Sequence, residues 1–249
     1  MDNFQYLIKE QQLCDLAETL AQRGKGKYAI TEVAISKIPY VVYPDLSNND
    51  NLIIHELAEK VLQYAKDKND SSEVAITYDL DNRLDISEGV KPIMDKAGVC
   101  YGTCDEMDLF SDPQTMRIVL GARSIAVINI HNHPSCSSFS TVDISSFLRE
   151  TAIKLMIVIG NNGELYYLSK NPTTFNYYKA RKYLNDIGNV VHPGINENSI
   201  LTAKEQREVA DLFLKNAVNF GMEYKHVLSS SKKLQEEGKS IFYNATRGI

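Results

Sequence analysis

His131 and His133, two positions apart, and Asp143, ten further on, are the side chains whose types and spacing best suit chemistry in this chain. The run before them, Ile125-Ala126-Val127-Ile128-Asn129-Ile130, is rich in β-branched apolar residues and predicts a buried strand. Side chains alternate along a strand, so His131 and His133 project from one face and Asn132 from the other. Two imidazoles and a carboxylate are three ligands of the kind a catalytic zinc ion takes, with a fourth position left for water. The chain holds only five histidines, and two of them sit in this stretch.

The elements around these residues are expected to deliver them. Ser140-x-x-Asp143 has the form of a capping box, and the segment from Thr141 to Leu155 predicts a helix with Ile144, Phe147, Leu148 and Ala152 on one side. A carboxylate at a helix N-terminus is kept ionised by the helix dipole, which suits a metal ligand. After the helix, Met156–Ile159 and Leu165–Leu168 flank an Asn-Gly turn and predict a β-hairpin. Upstream, the sequence predicts a helix over 3–22, a strand at Pro39–Tyr43, a helix over Leu52–Lys66 and a strand over Val74–Tyr78. Asp79–Arg83 reads as a turn, since it lacks the glycine and terminal glutamate of a calcium loop. The stretch 89–112 mixes loop and short elements, and Pro113–Ala122 reads as a helix.

Beyond residue 170 the pattern turns helical: Tyr177–Ile187 ending at Gly188, a helix opened by the capping box at Thr202 and running to Phe220, and a short one over 230–237. Strands alternating with helices place the chain in the α/β class, with an α-β layered core over 38–170. Helical additions flank that core at 1–37 and 171–249.

A chain of 249 residues is long enough for one sizeable core with additions. The formal net charge of −5, with no basic stripe, argues against nucleic-acid or membrane-surface binding by charge alone. No apolar stretch approaches the length of a membrane span, and the first residues lack the layout of a secretory signal. Cys14, Cys100, Cys104 and Cys136 are scattered and read as reduced thiols in a cytoplasm. Cys136 beside the histidines is either a bystander or a further ligand.

His-x-His-Pro followed by Ser-x-x-Asp resembles the active-site pattern of the JAB/MPN+ (JAMM) zinc metalloproteases. The tetrad His131-Asn132-His133-Pro134 looks most like that of bacterial RadC-type and related JAB-domain proteins. The resemblance covers 38–170 and implies a layered α-β-α, cytidine-deaminase-like core. It implies His131, His133 and Asp143 as ligands of Zn2+, with Ser140 steadying the tetrahedral intermediate. The family's upstream glutamate, set just before a strand, corresponds to Glu73, with Glu88 and Glu106 as competitors for that role. Five residues separate Pro134 from Ser140, one fewer than is usual in the family, and Ser137 and Ser138 offer alternative hydroxyls.

The implied reaction is hydrolysis of a peptide or isopeptide bond by metal-activated water, with Glu73 as general base. The substrate is then a protein or peptide, ubiquitin-like proteins included. Two other functions stay open at this point: a catalytically silent MPN-like binding or scaffold module, and a RadC-like DNA-associated protein. The acidic charge disfavours the latter.

Overall fold

The computed structural model describes residues 27–104, 107–192 and 201–228. Expected elements at 3–22 and 230–237, and the competitor Glu106, lie outside those residues. In chain order the elements are α1 (Glu32–Ser36), α2 (Asn48–Lys68), β1 (Val74–Asp79), α3 (Val90–Met94), β2 (Gly98–Tyr101), α4 (Pro113–Gly121), β3 (Val127–His133), α5 (Thr141–Arg149), β4 (Ile153–Gly160), β5 (Leu165–Lys170), α6 (Tyr177–Val191), α7 (Ala203–Lys215) and β6 (Met222–Val227).

The strands form one open six-stranded sheet in the order β2-β1-β3-β4-β5-β6. β3 and β4 are its one parallel pair, and α5 is the crossover between them. Strand alternation divides the core in two. Val74, Ile76, Tyr78, Ile128, Ile130, Leu155, Ile157, Ile159, Leu165 and Tyr167 pack with the apolar stripe of α2. Val127, Met156, Val158, Tyr166 and Leu168 face the other way, against α4, α5, α6 and α7. The chain is therefore a mixed α/β protein with helices on both faces of its sheet. His131 and His133 have the parity of Val127, so they lie on the α5–α7 face.

Several local expectations are corrected. Pro39–Tyr43 forms no strand: the Tyr43 amide is taken by the side chain of Asn51 in α2 at 3.1 Å, not by a ladder. The helix after Ser140 stops at Arg149, because Ile153 and Leu155 are already in β4. Gly188 sits inside α6, which runs on to Val191. The region after 170 is not purely helical, since Met222–Val227 adds β6 to the sheet edge. β2 is also new, and it pairs Gly98–Tyr101 with Val74–Thr77.

Candidate metal centre

Antiparallel pairing sets Asn129 of β3 opposite Thr77, and His131 opposite Ala75, on one face of the sheet. The small side chain of Ala75 leaves room for the imidazole. His131 Nδ1 lies 3.1 Å from Asn129 Oδ1, and the Asn129 amide donates to Thr77 Oγ1 at 2.9 Å. This arrangement puts the ring proton on Nδ1 and leaves Nε2 with a lone pair. His133 is held the same way: its Nδ1 sits 3.1 Å from the carbonyl oxygens of both Ser137 and Ser138. Carbonyls only accept, so Nδ1 carries the hydrogen here too. Metal-ligating histidines show this fixing of the second ring nitrogen.

Both Nε2 atoms turn to Asp143, delivered on the first turn of α5. His131 Nε2 is 3.5 Å from Oδ1, and His133 Nε2 is 3.4 Å from Oδ2. These separations are too long for good hydrogen bonds, and His131 Nε2 is buried without a hydrogen-bond partner. A buried nitrogen lone pair facing a carboxylate is a place where a cation would satisfy both groups. His131, His133 and Asp143 offer ligand atoms all within 4.8 Å of one another, and they are the one such group among the described residues. Their nitrogen and oxygen donors fit a zinc ion.

The electrostatics agree. Burial works to raise the Asp143 pKa, but its polar contacts with His131 and His133 outweigh burial and hold it well below the usual carboxylate range. Burial works to lower His133, yet Asp143, Glu73 and the Ser137 carbonyl outweigh it and hold the imidazole above its ordinary value.

Ser140 caps α5 and binds the carboxylate that faces the two histidines. Its Oγ accepts from the Asp143 amide at 3.1 Å and donates to Asp143 Oδ2 at 2.7 Å. Its backbone N–H also donates to Oδ2 at 2.7 Å. The hydroxyl has one hydrogen, and that hydrogen is committed to Asp143. Ser137 Oγ lies by His133 Nδ1, on the far edge of the ring from Asp143.

Glu73 immediately precedes β1 and shares the parity of Ala75 and Thr77, which places it on the histidine face. Its charge acts on His133. Glu88 is exposed in a short turn that follows the opposite end of β1. Cys136 is not part of the clustered donors; it turns in the left-handed region, with φ 57°, beside Gly160 and Tyr166. No disulfide joins Cys100, Cys104 and Cys136. Asn132 faces away from His131, His133 and Asp143 and is fully buried.

Three supporting residues escaped the sequence reading. Asn129 orients His131. Gly160 leaves space for the turn after His133, since a Cβ there would meet Cys136 at 3.2 Å. Tyr224 of β6 packs edge-on against Phe139, with ring centroids 6.2 Å apart, bringing the edge strand against the loop that holds His133. An Asn two residues before a ligand histidine carries a weak signal, and the other two carry none without the topology.

No family model, no curated protein and no solved structure matches the chain. Among the described residues no helix is long and apolar enough to cross a membrane.

Proposed function

We propose that this chain is a zinc-dependent hydrolase of peptide or isopeptide bonds with a site and core of the JAB/MPN+ type. The observation that carries the reading is the pair of Nε2 lone pairs, fixed by Nδ1 hydrogen bonds and aimed with Asp143 at one point. The helices on both faces of a sheet whose parallel pair brackets the ligands suit that core. When bound, zinc supplies Lewis acidity and a water activated near neutral pH. His131, His133 and Asp143 hold it. Glu73 takes the proton of the attacking water and returns it to the leaving amine. Ser140 keeps Asp143 oriented; it assists the developing oxyanion only if its hydrogen leaves Asp143 Oδ2.

The substrate on this reading is a protein or peptide with an accessible amide, ubiquitin-like conjugates among the first to try, and the compartment is the cytoplasm. The test begins with zinc stoichiometry of the purified chain, followed by hydrolysis of an amide and isopeptide library. Glu73→Gln is expected to keep zinc and lose turnover, and His131→Ala with His133→Ala to lose zinc. A fully active Glu73→Gln protein overturns the role of Glu73. Zinc binding without turnover on any amide indicates a silent binding module.

A further inference from the structure

We propose that Asn132 is a positioning residue for Glu73, fixing the carboxylate's backbone to the strand that carries both histidine ligands. The inference rests on the reading of Glu73 as the base. Asn132 lies between the two ligands in sequence, but its side chain leaves β3 on the opposite face and is fully buried. Its Oδ1 accepts from the Val74 amide at 2.7 Å, and its Nδ2 donates to the Ser72 carbonyl at 3.2 Å. Those two backbone groups flank Glu73 on either side. One is a donor and the other an acceptor, and the Asn132 amide offers each the partner it lacks.

The main-chain ladder explains why this link is needed. Pairing between β1 and β3 runs from Asp79–Val127 to Ala75–His131 and stops there. Past that point the Glu73 backbone pairs away from β3: its N–H donates to Thr103 at 3.0 Å, and its carbonyl accepts from Gly102 at 2.9 Å and Asn69 at 2.7 Å. Asn132 therefore carries the β1–β3 connection one step beyond the ladder, at the step where the base sits. Asn161 completes the arrangement. Its Oδ1 takes the second Asn132 N–H at 2.8 Å, and its own amide donates to Tyr28 and Ser71 at 2.6 and 2.9 Å. Three hydrogen bonds, two of them buried, thus hold Asn132 in one rotamer.

Positioning through Glu73 predicts a result that a general structural role does not: the effect of Asn132 disappears once Glu73 has lost its charge. The experiment is a double-mutant cycle in the full chain loaded with cobalt(II), read as visible absorption at one pH together with cobalt affinity. Glu73→Gln is expected to shift the visible bands, because the Glu73 charge reaches the His133 ligand. Asn132→Ser is expected to shift them in the same direction with cobalt affinity retained, and to add nothing in the Glu73→Gln background. Asn161→Ala releases Asn132 from its far side, and it serves in the same cycle if Asn132→Ser does not fold. A wild-type spectrum in both amide variants overturns the proposal, as does an additive shift or a lost cobalt site. Failure of the underlying reading shows separately, as a Glu73→Gln single variant with unchanged spectrum and unchanged hydrolysis.

Discussion

Ser140 and Asp143 hold each other in a closed pair, hydroxyl to amide at 3.1 Å and hydroxyl to carboxylate at 2.7 Å. The same contacts start α5 and aim a proposed metal ligand, so one substitution tests both. Ser140→Ala is expected to cost about 1 kcal/mol of stability, the usual worth of such a cap. It should also weaken zinc binding by about tenfold, as loss of an outer contact to a ligand does. Thermal melting and zinc titration measure the two effects, and Asp143→Asn should abolish the site outright.

Zinc affinity should fall on acidification, beginning above the ordinary histidine value of 6.5. The sign follows from competition: His133 must give up its Nε2 proton to bind metal, and Asp143 and Glu73 hold that proton to higher pH than usual. Asp143 does not limit binding in this window, because its carboxyl is ionised far below it. Zinc titrations from acidic to neutral pH would read the slope. An affinity that stays flat down through 6.5 contradicts it.

Gly160→Ala should weaken the site without touching a ligand. The new methyl would meet the Asn162 side chain and the Cys136 backbone, the latter at 3.2 Å. Relief requires moving the turn that begins at His133, whose carbonyl accepts from the Cys136 amide at 3.0 Å. Overpacking of this kind costs about 1–3 kcal/mol. Chemical denaturation and zinc affinity are expected to fall together.

Lys170 gives a pH dependence unrelated to the metal. Its ammonium is buried against the Phe147 and Glu150 carbonyls at the end of α5, at 2.5 and 2.8 Å. Burial lowers its pKa to about 7, with the charge of Glu150 opposing. Between about 7 and the ordinary value of 10.5 the unfolded chain binds the proton and the folded chain does not, so stability rises with pH across that window. Denaturation at a series of pH values should show the rise, and Lys170→Met should flatten it.

The ligand strand, the capped helix after it and the β4–β5 hairpin were legible because short-range rules determine them: alternation, a capping box and an Asn-Gly turn. The strands at both sheet edges were not. In β6, Glu223 and Lys225 interrupt the apolar pattern because they line one side of an exposed edge, paired with each other at 2.5 Å. β2 is four residues with a glycine at its start, too short for periodicity to register. Pro39–Tyr43 misled in the opposite direction, since its β-forming residues lie beside Asn51, which takes the Tyr43 amide. At the site, residue types and spacing suggested the three ligands, whereas Asn129, Gly160 and Tyr224 needed knowledge of which strands are neighbours.

The crossover from β3 through α5 to β4 contains His131, His133 and Asp143, the three proposed ligands, while Glu73 sits just before a strand more than fifty positions earlier. Closing so short a loop around an ion costs little chain entropy, so the ligand set is a local device that assembles with its own β-α unit. On the proposed reading, placement of the general base instead depends on long-range docking of β1. On that reading, lesions confined to the segment around Glu73 should therefore yield metal-loaded but idle protein, a failure that metal analysis alone would not detect.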